Sequence, residues 1–129
     1  MPYQDTWERN GLVRTWSGFI TGAEFVEAIM RTAADPRFGD LRFIISDFRD
    51  VQGHGITEAD LEAVAVTRIG SSCTNPNIRI AVIAPRVDVA RLREVASSQR
   101  YPNPYETKVL HNPEEARRWC RARPRQESA

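Results

Sequence analysis

The chain opens with two short stretches in which apolar and polar residues alternate, joined by Asn10-Gly11. Alternation is typical of half-buried β-strands. Asn-Gly is a strong two-residue signal for a hairpin, because a type I′ turn needs positive φ at both of its central positions. The pattern therefore predicts an N-terminal β-hairpin with strands near residues 3–9 and 12–17.

Four later stretches are predicted to be helices. In two of them a threonine stands three positions before an acidic residue, Thr21 before Glu24 and Thr57 before Asp60, which is the spacing of a capping box. A third begins at Asn112-Pro113 with two acidic residues behind it, and a fourth is predicted over residues 88–98. The inner face predicted for the helix after Thr57 consists of Leu61, Val64, Ala65 and Ile69.

Apolar runs between these helices predict strands near residues 41–48, 78–84 and 105–111. The second run is apolar at nearly every position, as in a central parallel strand, whereas the third is more polar, as near an edge. Strands that alternate with helices imply crossovers and a parallel sheet. We therefore predict an α/β fold with a mixed, mostly parallel five-stranded sheet, an N-terminal hairpin and about four helices. A single domain is expected over residues 1–122, followed by a flexible tail at 123–129.

Composition excludes few classes of function but narrows the partners. The 18 basic and 17 acidic side chains give a net charge of +1, so bulk charge favours neither nucleic acid nor an anionic membrane. The first ten residues lack the apolar core of a signal peptide, and no run is long enough to span a membrane. Cys73 and Cys120 belong to no metal-binding pattern. A cytoplasmic protein without a cofactor is expected.

The segment between the predicted strand at 41–48 and the helix after Thr57 is the main candidate for a functional surface. Ligands of open α/β sheets usually bind beyond the carboxyl ends of the strands. Residues 46–57 are interpreted as a long connection with a flexible Gly53-His54-Gly55 loop, and long loops on a rigid scaffold often carry function. The candidate binding or regulatory residues are Asp47, Arg49, Asp50, His54 and Thr57.

More specific chemistry finds no support in the sequence. There is no GxGxxG or P-loop pattern, no metal-ligand spacing and no GxSxG elbow, so no catalytic residue and no metal ligand is assigned. Asp47 is expected to bond loop amides, and Thr57 is also explained as a helix N-cap. Tyr101 and Tyr105 flank a Pro-rich loop, where exposed aromatic side chains would mark a second contact surface.

Several segments together resemble the SpoIIAA-like branch of the STAS-domain proteins, the fold of anti-sigma-factor antagonists. They are the opening hairpin, the strand Phe43-Ile44-Ile45-Ser46-Asp47-Phe48 with Arg49-Asp50-Val51 behind it, the helix led by Ile56-Thr57, and the segment from Asn112 to Trp119, which is similar to the closing xEEAxxWL helix of that branch. The resemblance covers essentially the whole chain. In the antagonists a DSSGL-like segment at the second helix carries the phosphorylated Ser. Thr57 stands near that position here, but the Asp-Ser-Ser-Gly signature is missing.

The resemblance implies a non-enzymatic regulatory or protein-binding module with a protein partner. The branch also resembles lipid-binding Sec14-type domains in fold, which implies an alternative: a carrier of a lipid or small apolar ligand that opens between the last helices and the sheet, or a membrane-associating domain. An enzyme of unknown class is the third possibility. A homodimer is compatible with each of them, and no nucleic acid is expected as a partner.

Overall fold

Strands and helices follow one another in the order that the hydrophobic pattern predicts. The structure of the protein, a computed structural model, describes residues 2–84 and 103–122. Its strands are β1 (Tyr3–Glu8), β2 (Gly11–Thr21), β3 (Phe43–Gly55), β4 (Arg79–Ile83) and β5 (Glu106–Leu110). Its helices are α1 (Gly22–Ala34), α2 (Glu58–Ser72) and α3 (Pro113–Arg121), with a 3₁₀ turn at Phe38–Asp40. The helix predicted over 88–98 and the tail predicted at 123–129 lie outside the described residues.

The strands form one five-stranded sheet in the order β1-β2-β3-β4-β5. β1 is antiparallel to β2, and the remaining neighbours are parallel. Asn10, in the hairpin turn, has a φ of 60°, the left-handed conformation that asparagine tolerates better than most residues. The predicted mixed sheet with an N-terminal hairpin is therefore confirmed, with β4 inside the sheet and β5 at an edge.

β2 and β3 are longer than predicted, and this corrects the interpretation of residues 46–57 as a connecting loop. β4 ends at Ile83, which pairs with Asp47. β3 nevertheless stays paired with β2 until Gly55 lies opposite Thr21. These additional pairs form a two-stranded ribbon of residues 17–21 and 50–55. The sequence did not reveal it because glycine weakens a strand pattern.

Both faces of the sheet carry packed side chains. One face packs against α1 through a cluster that contains Trp16 and Ala28. The opposite face packs against α3 through Ile45, Ile83 and Ala116. This two-sided burial explains why the sequence of β4 is apolar at consecutive positions instead of alternating.

The described helices begin where their capping residues predict. Thr21 with Glu24 and Thr57 with Asp60 form complete capping boxes, and the Asn112 side chain accepts a hydrogen bond from the Glu115 amide. An N-terminal cap satisfies amides that have no partner inside the helix. Local chemistry therefore fixes all three helix starts.

The predicted inner face of α2 is wrong at one position. Leu61 and Val64 are buried, but Ile69 is 46% exposed. The inward positions continue instead through Arg68 and Ser71, which line the space between α2 and the sheet together with Leu61 and Val64. Spacings of three and four residues keep these side chains on one stripe of the helix. The sequence prediction chose the apolar residue next to the stripe because an arginine is rarely an inward residue.

We expect the β4 amides to exchange with solvent most slowly in hydrogen-exchange measurements. β4 is hydrogen-bonded to a strand on each side, and Ile80, Ala81 and Ile83 are buried. Amides of this kind open only with the largest unfolding free energies. Faster exchange at residues 79–83 than in the edge strand β1 would contradict the assignment.

Gly22→Ala is expected to destabilise the protein by about 1 kcal/mol or more, the usual cost of losing a cap. A Cβ at position 22 would overlap the carboxylate of Asp60, which caps α2. Gly39→Ala is the matched control, because a Cβ there has no other atom within 4 Å. Chemical denaturation measures both variants, and equal stability of the two would show that Asp60 adjusts at no cost.

Candidate functional site

Asp47 and Arg49 form a closed ion pair at the carboxyl end of the sheet. Asp47 is buried, between Thr15 on β2 and Ile83 on β4. Its carboxylate accepts hydrogen bonds from the Arg49 amide at 3.0 Å and from Arg49 Nη2 at 2.7 Å. The hydrogen bond between the two side chains raises the pKa of Arg49 above its ordinary value. The carboxylate of Asp47 is therefore occupied by its own chain, as expected from a residue that bonds nearby amides.

The other candidate residues do not gather around Asp47. Asp50 lies opposite Ser17 and is exposed. β3 ends at Gly55, eight residues beyond Asp47 and two before the last candidate residue, Thr57. Eight residues span roughly 25 Å along an extended strand. His54 accepts a hydrogen bond at Nδ1 from the Ile56 amide at 3.1 Å. Four of the five candidates therefore lie along one long strand, the fifth, Thr57, caps the following helix, and the five do not form a compact cluster.

The N-termini of α1 and α2 lie side by side, because Thr21 and Gly55 are paired in the ribbon. Thr57 Oγ1 donates to Asp60 Oδ2 at 2.9 Å and accepts from the Asp60 amide at 3.2 Å. Thr21 makes the same pair of bonds with Glu24, at 2.8 and 3.1 Å, and its donors lower the pKa of Glu24. Both helix ends thus carry a carboxylate of their own, which disfavours a second anion there.

An exposed aromatic ring lies next to the start of α2. Phe19 is 61% exposed and covers the two ribbon glycines: a Cβ at Gly53 would stand 3.4 Å from the ring and one at Gly55 3.5 Å from it. Phe19, Gly53, Gly55 and Thr57 are called the ribbon tip below. Sequence reasoning missed Phe19 because its partners were interpreted as a loop. The sequence signal that could have indicated this packing is the Gly-x-Gly segment at residues 53–55, which ends two positions before the helix cap Thr57.

Tyr105 is buried, so the expected exposed contact surface at this residue is wrong. Its hydroxyl lies 2.8 Å from Ser71 Oγ on α2, and burial raises its pKa. The side chain therefore connects the start of β5 to α2. Tyr101 lies outside the described residues.

A cavity of about 160 Å³ lies between the sheet and the helices α1 and α2. Its wall is mainly apolar and includes Trp16, Phe25, Phe48, Leu61, Ile80 and Val82. Arg68 on α2 also lines it, and burial lowers the pKa of Arg68 to about 10. The sequence had suggested an opening between the last helices and the sheet. Among the described residues, the helices that line the cavity are α1 and α2, and the helix predicted over 88–98 lies outside those residues.

Two kinds of feature are absent from residues 2–84 and 103–122. No three His, Cys, Asp or Glu side chains in these ranges are grouped so that they could hold a metal ion. No helix in the same ranges is long and apolar enough to cross a membrane.

The hairpin, the parallel strands and the helices on both faces define a SpoIIAA-like α/β fold. Two solved structures of SpoIIAA match at 15% identity: the anti-sigma factor antagonist in its unphosphorylated form, with a TM-score of 0.55 over 88% of this chain and 91% of that chain, and the Bacillus cell fate determinant in its phosphorylated form, with a TM-score of 0.59 over 92% and 99%. An uncharacterised DUF3478-family protein with a SpoIIAA-like fold from Shewanella loihica PV-4 matches at 13% identity and a TM-score of 0.52, over 92% of this chain and 91% of that one.

The comparisons confirm the fold that the sequence resemblance implied. No protein-family model matches the chain, and no curated protein matches its sequence. At these identities the solved structures establish the fold alone.

Thr57→Ala is expected to reduce the free energy of unfolding by about 1 kcal/mol, the usual cost of an N-cap, whereas Thr57→Ser should leave it unchanged. Serine can accept from the Asp60 amide and donate to its carboxylate as Thr57 does, and alanine can do neither. Urea denaturation measures the difference, with the exposed Thr74→Ala as control. Equal stability of all three variants would show that the Thr57 cap does not contribute to the free energy of unfolding.

Proposed function

We propose that this protein is a non-enzymatic regulatory module that acts by binding a protein partner at the ribbon tip. The observation that carries the proposal is the exposed Phe19 ring packed over Gly55, two residues before the exposed cap Thr57. Aromatic side chains, Phe among them, are enriched in protein interfaces relative to the rest of the surface. Arg49 and Asp50 are exposed on β3, the strand that contains Gly55. We assign them to the outer part of this surface.

The chemistry of the ribbon tip supports a protein partner better than a small anionic ligand. Both helix N-termini already carry the carboxylate of a capping box, which disfavours a phosphate there. The SpoIIAA-like fold is typical of regulatory modules, and SpoIIAA itself is an anti-sigma factor antagonist known in two phosphorylation forms. For this chain, a negative charge at Thr57 would stand beside Asp60 and Glu58 and would change the surface that a partner contacts.

We expect Phe19→Ser to reduce capture of the partner at least about tenfold, the loss expected when an interface anchor is removed. Thr57→Asp should reduce it to a similar extent, because it adds a negative charge to the surface that the partner contacts. The partner is first identified by affinity capture from the native cell with the wild-type chain. Its affinity is then measured with purified proteins. Because Phe19 packs on glycine at the surface, Phe19→Ser should change the melting temperature little.

Matched controls separate the surface from the fold. Met30→Ser removes an apolar side chain that is 54% exposed on α1, away from the ribbon tip, and should leave the affinity unchanged. Thr57→Ala removes the cap without adding charge and should retain most of the affinity. If Phe19→Ser and Thr57→Asp both bind the partner as the wild type does, the ribbon tip is not the interface. Recovery of the chain itself as the captured protein would indicate a homodimer.

A further inference from the structure

Arg68 is a cation in the apolar wall of the cavity, and it has no counterion in the part of the chain that the structure describes. It lies on the inward stripe of α2 and is only partly exposed. No hydrogen bond or ion pair joins its guanidinium to any residue among 2–84 and 103–122. Desolvation of a charge without a partner is unfavourable, and burial is the largest cause of the lowered pKa of Arg68. At a pKa of about 10 the side chain is still charged at neutral pH.

Several other polar side chains in the cavity wall are already paired. Arg14, the other cation among the described lining residues, holds Asp5 at 2.7 Å and donates to Thr32 at 2.6 Å. Ser71 and Tyr105 share a hydrogen bond. Further along the wall, Asn103 Nδ2 donates to Thr107 Oγ1 at 2.8 Å. Arg68 therefore differs from these polar residues of the cavity wall, because its charge is unpaired in the described part of the chain.

A second polar group at the cavity has no hydrogen-bond partner within the described ranges. Trp16 is 1% exposed, lines the cavity, and its indole Nε1 makes no hydrogen bond among the described residues. Buried indole N–H groups usually find an acceptor. Two donors without acceptors in the wall of one cavity indicate a ligand that brings oxygen acceptors with it.

We propose that the cavity binds a small monocarboxylate with an apolar body, and that the carboxylate pairs with the Arg68 guanidinium. A cavity of about 160 Å³ is similar in size to engineered cavities of about 150 Å³ that hold a benzene ring. It fits an aromatic ring or a short alkyl chain. The planar guanidinium matches a carboxylate with two parallel hydrogen bonds. A single cation neutralises one negative charge, so a monoanion suits it better than a phosphate dianion.

The test is calorimetric titration of the full chain at neutral pH with octanoate and, as the uncharged match, 1-octanol. The wild type should bind octanoate at least about tenfold more tightly than 1-octanol, the factor expected of a charged hydrogen bond. Arg68→Met should weaken octanoate about tenfold to a hundredfold and leave 1-octanol unchanged. Arg68→Lys should keep the preference for the carboxylate because it keeps the charge.

Stability measurements distinguish a ligand-binding role of Arg68 from a structural one. Without a partner to lose, Arg68→Met should melt at the same temperature as the wild type or higher in the absence of ligand. Arg31→Met, an exposed arginine paired with Glu27 on α1, is the control and should bind octanoate like the wild type. A lower melting temperature of Arg68→Met would assign the residue to the fold and overturn the proposal. Equal affinity of the wild type for octanoate and 1-octanol would overturn it too, as would absence of octanoate binding at millimolar concentration.

This inference is independent of the protein-binding function. Phe19→Ser should bind octanoate like the wild type, since Phe19 is not among the residues that line the cavity. Arg68→Met should in turn capture the protein partner like the wild type. The experiments can therefore contradict carboxylate binding in the cavity without contradicting protein binding at the ribbon tip, and the reverse.

Discussion

The parallel register between β2 and β3 is the constraint on which the rest of the structure depends. It runs from Gly11 opposite Phe43 to Thr21 opposite Gly55, and each strand leads directly into a helix with a capping box. A shift of one residue would turn every side chain to the other face. It would also separate Gly22 from Asp60, which are now so close that no side chain fits between them. The register thus sets the sheet, the two helix starts and the ribbon tip together.

Local signals made most of the fold predictable. The Asn10-Gly11 turn, the two threonine caps and the apolar run of β4 each act over a few residues, and each is where the sequence indicates. The ribbon was not predictable in this way, because its stability comes from cross-strand pairing. Phe19 covers glycines that lie more than thirty residues away, and a single sequence does not show which aromatic side chain will do so.

The candidate site shows the same limit. The candidate residues are close in sequence, but the extended strand β3 separates those at its start from Thr57, which follows its end. Folding brings together residues that the sequence keeps apart, such as Arg68 and Trp16 at the cavity wall. Sequence analysis does not identify Arg68 for a specific reason: a helix pattern that is interpreted from apolar residues alone makes Ile69 the inward residue. The charged residue at an inward position of α2 indicates the cavity wall, which the apolar positions do not.

The contrast between the two surfaces follows from how each satisfies its polar groups. At the ends of the ribbon, Thr21, Glu24, Thr57 and Asp60 bond one another, so what remains available to a partner is shape, an aromatic ring and a negative charge. In the cavity, the Arg68 guanidinium and the Trp16 indole have no acceptor among residues 2–84 and 103–122. Sequences generally satisfy buried polar groups, and exceptions concentrate where another molecule completes them. The proposed protein-binding surface therefore has its polar groups paired, whereas the proposed anion site has donors that a ligand would pair. Substitutions at the ribbon tip need not disturb the cavity, and substitutions in the cavity need not disturb the ribbon tip.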